Sequence, residues 1–339
     1  MVVSDPPRRP PWLVRALIAL VVLLASLWAA GAIWVDGPYS MAGGNRWLAL
    51  GWLVAVLVAF WALRRHPLAR MAVWAVLFLG VLIPWLRIAP SNDRDWKPEW
   101  AQTPRIEIDG GILKVQNFRD FVYAPDGAPT ERWETRAFDL GNLRGMDYFH
   151  VPFGGDLLAH PMLSFDFGPE GHLVLSIETR REKGEGFSTV GGFYKMYELQ
   201  YVWGSETDFA GVRSNIRGEP VHLYRTALSP EFVLFVLIDA VRVTNRLHDR
   251  PEFYNSLWAN CTTALRAQTP EWAAIPFDLR MLANGRLDAL IFEHGGFRVP
   301  DGLTFDTLRE AALINDAARA AANEPDFSTR IRDGRPGFD

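Results

Sequence analysis

The chain has 339 residues, a net charge of −4 and one cysteine. The charge is small and is spread along the sequence, so it does not favour nucleic acid as a partner. The length allows one large domain or two small ones. The hydrophobic fraction is 49% and is concentrated in residues 12–88, whereas the remainder has the composition of a soluble protein.

Three apolar runs predict a transmembrane region over residues 1–88. They cover residues 12–35, 47–63 and 71–88, and a helix that crosses a bilayer needs about 20 apolar residues. The first run has the length of a signal peptide, but two further runs follow it and no small-residue cleavage site ends it. We therefore expect a multi-pass membrane protein with three spans.

Arginines in the short loops predict its orientation. Arg8, Arg9 and Arg15 surround the start of the first span, and the loop 64–70 carries three more arginines. The positive-inside rule places the N-terminus in the cytoplasm and everything after residue 88 on the far side. In a bacterial inner membrane that side is the periplasm, which is oxidising, and a lone cysteine there has no internal disulfide partner.

Residues 89–104 are rich in proline and charge and predict a linker. Residues 105–322 then predict a periplasmic domain of α+β class. Its strands are indicated by apolar–polar alternation and turn residues, as in a hairpin around Gly110 and Gly111. The alternating or β-rich segments are residues 105–118, 131–140, 160–180, 193–203 and 219–226.

The hairpin around the turn GPEG carries a histidine and two charged residues on one face. Matching the apolar face of residues 163–167 with that of residues 173–177 pairs even-numbered residues with even-numbered ones. His160 is then opposite Glu178 or Arg180, so parity supplies an imidazole with a charged neighbour.

The second half of the domain predicts helices. Ser229 and the proline after it favour a helix start, and Asn260 favours another, with Cys261 and Thr262 in its first turn. Residues 305–322 predict a last amphipathic helix, and the polar residues 323–339 predict a poorly ordered tail.

Cys261 is the candidate nucleophile. A helix N-terminus and a nearby imidazolium both favour the reactive thiolate, and the thiol then needs a base and a group that orients the base. Of the seven histidines, His160 is the first choice and His172 the second. The alternative, that Cys261 is a buried hydrophobe and His160 a surface residue, stays open on spacing alone.

Neighbouring polar residues have structural interpretations as well. Tyr254 and Asn255 favour a role in positioning the cysteine-bearing helix, and Asn260 favours capping or oxyanion binding. Two other groups are interpreted as an exposed charge run and as ion pairs that hold a loop. They are Arg180, Arg181 and Glu182, and Glu206, Asp208 and Arg213.

Several segments resemble the family called the Lnb N-terminal periplasmic domain. They are PEFYNSLWANCTTAL, HPMLSFDFGPEGHLVLSIETRREKGEGFS, MYELQYVWGSETDFAGVR and DFSTRIRDG. A member of that family is described as a lipoprotein N-acyltransferase, and the family is similar to permuted papain-like (NlpC-like) thiol enzymes of the lecithin–retinol acyltransferase group. The resemblance implies an antiparallel sheet packed against helices, with Cys261 as nucleophile, His160 as base and Glu178 or Arg180 as orienting neighbour.

Three functions are compatible with these observations. The first is a membrane-anchored periplasmic thiol acyltransferase that takes an acyl group from a membrane lipid and passes it to an amine, with a lipoprotein N-terminus as one candidate acceptor. The second is a periplasmic cysteine peptidase or amidase, and the third a non-catalytic membrane-tethered binding domain. No metal-ligand spacing and no phosphate-binding glycine loop occurs, so we expect no metal and no cofactor.

Overall fold

The computed structural model describes residues 11–41, 43–124, 126–153, 155, 157–256, 276, 278–322 and 324–338. The chain divides into two compact units. The first comprises Met1–Ala89 and Tyr194–Met196, and the second comprises Pro90–Phe193 and Tyr197–Asp339.

The first unit contains three helices that are long and apolar enough to cross a membrane. They are α1 (Trp12–Asp36), α2 (Gly44–Ala62) and α3 (Pro67–Arg87). Most of their large apolar side chains are exposed, as expected of surfaces that face lipid. Small residues of α1 are buried instead, namely Ala29, Ala30 and Ala32.

Polar contacts hold this unit together. The Trp85 indole donates to Asp36 Oδ2 at 2.6 Å. Lys195 Nζ donates to the backbone oxygens of Trp85 and Ile88, each at 2.8 Å. A Cβ at Gly31 would lie 1.9 Å from the Tyr194 hydroxyl, so only glycine allows this close approach.

The second unit is built on ten strands and six helices among the described residues. The strands are β1 (Arg105–Asp109), β2 (Ile112–Arg119), β3 (Val122–Tyr123), β4 (Pro129–Thr130), β5 (Trp133–Asp139), β6 (Gly145–Phe153), β7 (Leu158–Asp166), β8 (His172–Arg180), β9 (Glu198–Gly204) and β10 (His222–Arg225). The helices are α4 (Glu206–Gly211), α5 (Pro230–Asp249), α6 (Leu287–Glu293), α7 (Phe305–Ala312), α8 (Asn315–Ala320) and α9 (Phe327–Arg330).

Eight strands form one sheet in the order β1-β2-β9-β8-β7-β6-β10, with β5 also paired to β2. All pairs are antiparallel except β2 with β9, which meet in parallel at Arg119 and Gly204. The architecture is therefore mixed α+β, as predicted.

Both faces of the sheet are covered. On one face the odd-numbered apolar residues of β7, β8 and β9 pack into a core with α5. On the other face Met162, Val174 and Val202 pack with Phe209 of α4 and with Phe327 of α9. His160 and Glu178 share parity with this second set, so the predicted polar face is largely buried beneath α4 and the C-terminal helices.

Two segments differ from the prediction of disorder or linker. Trp96 and Trp100 of the predicted linker 89–104 are buried in the second unit. In the predicted tail 323–339, Phe327 and Ile331 are buried, and Arg332 forms ion pairs with Asp147 and Glu206. Both segments are held in place by contacts with residues that are distant in sequence, and local composition cannot predict such contacts.

The predicted helix 305–322 is interrupted. It ends at Ala312, and Leu313 forms a β-bridge with His222 before α8 begins at Asn315. Ile314 N donates to Val221 O, just before β10, and not to a carbonyl of the preceding helical turn, as it would in a continuous helix. The helix predicted from Asn260 lies outside the described residues.

Candidate active site

The β7–β8 hairpin brings His160 and Glu178 together. Met162 pairs with Ser176, and the paired residues from Met162 to Asp166 all have equal parity with their partners. Continuing this register by two residues puts His160 opposite Glu178. A buried face fixes the register, because a one-residue slip would move every side chain to the other face.

Ser176 lies between the imidazole and the carboxylate. His160 Nε2 is 2.7 Å from Ser176 Oγ and 3.3 Å from Glu178 Oε1. Ser176 Oγ donates to Glu178 Oε1 at 2.6 Å. The hydroxyl therefore accepts from Nε2–H, which assigns the ring proton to Nε2 and leaves the lone pair on Nδ1.

Arg213 completes this polar chain from the other side. It belongs to a π-helical turn, Val212–Ile216, that follows α4. Its Nη2 lies 3.3 Å from Glu178 Oε1, and its Nη1 lies 3.5 Å from Glu219. Single π-turns occur often at functional sites, and this one places a cation behind the carboxylate.

The electrostatics of the site favour a neutral imidazole beside an ionised carboxylate. Burial lowers the pKa of His160, and Arg213 lowers it further, while Glu178 acts in the opposite direction. Burial opposes the charge of Glu178, but His160, Arg213 and Ser176 together hold the pKa of this carboxyl well below its usual range. An uncharged imidazole is the form that can accept a proton.

His160, Glu178 and Arg213 line a cavity of about 450 Å³. Its walls also include Tyr254, Ser256, Leu282 and Asn284. Ser256 is the last described residue before position 257. The backbone of residues 254–256 is held by two hydrogen bonds, from Tyr254 N to Tyr197 O and from Ser256 N to Gly192 O. Cavities of this size are common for small-molecule sites.

Three of the sequence-predicted site residues, Asn260, Cys261 and Thr262, lie outside the described residues. Tyr254 lies at the cavity, and Asn255 follows it in the same segment.

Arg180, the alternative orienting residue, is directed elsewhere. Its guanidinium donates to Trp100 O, Asn92 Oδ1 and Ala101 O at 2.8–3.0 Å, and it stacks over the Trp96 ring. Arg180 thus holds the segment before β1 against the sheet, and the carboxylate beside His160 is that of Glu178. Strand parity alone could not separate the two residues, because both are even-numbered.

His172, the second choice for a base, does not line this cavity. It lies near the carboxylates of Asp147, Asp166 and Glu206, and its Nε2 is 3.8 Å from Asp166 Oδ1. Donor atoms of Asp147, His172 and Glu206 lie within 4.8 Å of one another, a spacing that could hold a metal ion. Arg332 already bonds both carboxylates, at 2.6 Å and 2.8 Å, and so supplies the positive charge there.

Glu206 and Asp208, two acidic residues of the segment 196–213, form ion pairs with arginines. Asp208 accepts two hydrogen bonds from Arg119, at 2.8 Å and 2.9 Å, and one from the backbone of Phe121. Glu206 binds Arg332. Ser176 and Arg213 lie at the site but were not among the site residues predicted from the sequence. Ser176 could have been included, because it is the polar residue two positions before Glu178 on the same strand face.

Comparison with known proteins bears on this segment. Residues 129–285 match the family model of the Lnb N-terminal periplasmic domain. The match confirms the family to which the sequence motifs point. The Lnb domain and the three apolar helices together indicate a membrane-associated protein with a periplasmic domain. No match was found among curated proteins or among solved structures.

Proposed function

We propose that this protein is a membrane-anchored acyltransferase in which Cys261 is the nucleophile and His160 the general base. The observation that carries the proposal is the His160–Ser176–Glu178 arrangement at a cavity. It provides a neutral base whose second nitrogen, Nδ1, is not engaged by Ser176 or Glu178.

Chain connectivity supports Cys261 as the nucleophile. Cys261 follows Ser256, a cavity residue, by five positions. Five residues of fully extended chain span at most about 18 Å. The thiol is therefore tethered within reach of the cavity, and it is the one thiol in the sequence.

The proposed reaction has two halves. His160 Nδ1 takes the proton of the Cys261 thiol, and the sulfur attacks the carbonyl carbon of an acyl ester. The ester bond breaks, the imidazolium returns its proton to the leaving alcohol, and a thioester remains on Cys261. In the second half an amine attacks the thioester, His160 accepts its proton, and the thiolate leaves and is protonated.

We also propose a permuted papain-like fold and a location in the bacterial inner membrane. A strand-borne histidine precedes an Asn-Cys pair in the sequence, which is the order of permuted papain-like enzymes. The positive-inside rule supports three spans in a bacterial inner membrane, a cytoplasmic N-terminus and a periplasmic Lnb domain. This location would bring the thiol to membrane lipids and to lipoproteins.

The test is detection of an acyl group on Cys261. The full chain is purified from membranes, incubated with a diacyl phospholipid and analysed by intact-mass and peptide mass spectrometry. We expect an acyl adduct on the Cys261 peptide that hydroxylamine removes. His160→Asn should lower its rate of formation by about 10²–10⁴-fold, the usual contribution of a general base.

His294→Gln is the matched control, because His294 is exposed and its ring bonds only Leu290 O among the described residues. It should form the adduct at the wild-type rate. Release of soluble peptide from a protein substrate without an acyl adduct would instead show a hydrolase. An unchanged cellular phenotype for Cys261→Ala would leave only the binding domain.

A further inference from the structure

The cavity contains an excess of hydrogen-bond donors. Trp100 Nε1, Arg181 Nε and Arg213 Nε are buried and have no hydrogen-bond partner among the described residues. All three residues line the cavity. A buried donor without an acceptor costs about 1–3 kcal/mol, so this wall is suited to a group that brings several acceptor oxygens.

The same wall has positive charge that no carboxylate pairs directly. Of the four cavity arginines, Arg119 is bound by Asp208 and Arg213 faces Glu178. Arg181 and Arg217 form no ion pair within the described part of the chain. Two further acidic residues line the cavity: Glu99 pairs with neither of these arginines, and Glu219 lies 3.5 Å from Arg213.

Arg181 is held in place before any ligand arrives. Its guanidinium lies 4.2 Å from the centre of the Trp100 ring, and Trp100 is only 4% exposed. The backbone oxygen of Arg181 accepts from Lys97 N at 3.0 Å. A guanidinium fixed on an aromatic face is well prepared for bidentate contact with a phosphate.

Apolar side chains also line the cavity. Phe187, Phe193 and Leu282 are 47%, 43% and 45% exposed, although each belongs to the cavity wall. Phe187 also packs edge-on against Phe153. Exposed apolar groups gathered at a cavity indicate a binding surface, and with the arginines they fit an amphiphile that has an anionic head.

We propose that the acyl donor is an anionic glycerophospholipid. Its phosphodiester contacts Arg181 and Arg217, and its acyl chains leave the cavity over Phe187, Phe193 and Leu282. A volume of about 450 Å³ holds the headgroup and the ester region, and the rest of each acyl chain lies outside the cavity. His160 lines the same cavity as the two arginines, and the proposal places the ester, which the short glycerol linkage joins to the phosphodiester, at His160.

This inference rests on the proposed acyl transfer and specifies its donor. Cys261 sulfur bonds to the acyl carbon, the glycerol C–O bond of that ester breaks, and the thiol proton passes through His160 to the released glycerol oxygen. The products are a thioester and a lysophospholipid, with no oxidant or reductant required.

The experiment compares a charged donor with an uncharged one. The full chain is reconstituted with phosphatidylglycerol or with diacylglycerol of the same acyl chains, and adduct formation on Cys261 is followed by mass spectrometry. We expect the double variant R181Q/R217Q to lose about 10–100-fold in rate with phosphatidylglycerol and to match wild type with diacylglycerol. Arg242→Gln, an exposed arginine paired with Asp239 on α5, should leave both rates unchanged.

A binding measurement separates this inference from the reaction itself. Cys261→Ala is titrated with dihexanoyl phosphatidylglycerol, dihexanoylglycerol and inorganic phosphate, with and without R181Q/R217Q. We expect tight binding of the phospholipid alone, abolished in the double variant. Equal affinity for inorganic phosphate would overturn the lipid assignment, as would equal adduct rates from both donors in all variants. Arginine-dependent phospholipid binding without any adduct would reject the transferase and retain the anion site.

Discussion

At the scale of single residues, the two nitrogens of the His160 ring differ in their contacts. Ser176 and Glu178 lie on the Nε2 side of His160, so the proposed mechanism assigns proton transfer to Nδ1. Arg213 and Glu178 act on this ring with opposite sign. In the proposed mechanism, Arg213 and Glu178 therefore set the pH range in which His160 can act as a base.

The opposite signs give a testable pH dependence. Glu178 raises the pKa of His160 and Arg213 lowers it. Glu178→Gln should therefore move the acid limb of the rate–pH profile of thioester formation to lower pH, because the ring loses a stabilising charge. Arg213→Gln should move the same limb to higher pH. The measurement is kcat/KM against pH, which reports groups of the free enzyme.

Loss of activity in both variants without movement of the limb would contradict this assignment, since a merely structural defect changes the rate and not its pH dependence. Arg242→Gln serves again as the exposed control and should leave the limb in place.

Part of the site follows from sequence at this scale. The alternation of side chains along the 160–180 hairpin predicts that His160 is opposite Glu178 or Arg180, and it does not separate the two. It does not show that Ser176 stands between His160 and Glu178, because that depends on side-chain rotamers. It also does not show that Arg180 turns toward Asn92 and Trp100, since those partners come from a segment about 80 residues earlier.

At the scale of elements, the C-terminal segment closes the second face of the sheet. Arg332 bonds both Asp147 of β6 and Glu206 of α4, and both carboxylates are fully buried. Burial opposes ionisation of Glu206, but Arg332 and His172 hold its pKa at about 2. The segment thus contributes charge as well as apolar packing.

Removing this charge should be costly. We expect Arg332→Met to lower the free energy of unfolding by about 3–5 kcal/mol, because buried Glu206 loses its cationic partner and buried Asp147 keeps only Arg225. For a domain of this size that corresponds to a fall of about 6–20 °C in Tm. Thermal unfolding of the purified full chain in detergent, followed by near-ultraviolet circular dichroism, measures the change.

Arg330→Met is the matched control, because Arg330 is exposed and two residues away. A shift in Tm no larger for Arg332→Met than for Arg330→Met would show that the buried pairs do not stabilise the domain.

Elements with a local signal are the ones that sequence predicts. The hairpins and α5 follow from alternation, turn residues and a Ser-Pro start. The order of residues 90–104 and 324–338 does not, because Trp96, Trp100 and Phe327 are buried by contacts with distant strands and helices. The break at Leu313 has the same origin, since its strand partner is His222.

At the scale of the whole molecule, three apolar helices and an Lnb domain form one polypeptide. The helices carry the hydrophobic excess of the composition, and the sheet domain carries the candidate site. The family and the membrane class are readable from sequence because they rest on motifs and on apolar length. The proposed acyl donor is not readable from sequence, because that proposal depends on a cavity formed by residues from many separate segments.

The orientation across the membrane is a further prediction. We expect alkaline phosphatase fused after residue 92 to be active in bacterial cells and the same reporter fused after residue 66 to be inactive, because the arginine-rich loop 64–70 stays in the cytoplasm. Phosphatase activity of the two fusions at equal expression is the measurement. Activity of the fusion after residue 66 would reverse the orientation.

The position of Ser176 predicts which covalent reagents would label the proposed enzyme, those for serine hydrolases or those for thiol enzymes. His160, Ser176 and Glu178 lie in one hydrogen-bonded row, yet Ser176 is 0% exposed and its hydroxyl is already bonded to both His160 Nε2 and Glu178. The hydroxyl connects His160 to Glu178 by hydrogen bonds, and an electrophile from solvent cannot reach it. Fluorophosphonates, which report serine hydrolases, would find no target at this row, and thiol-directed electrophiles are the matching reagents.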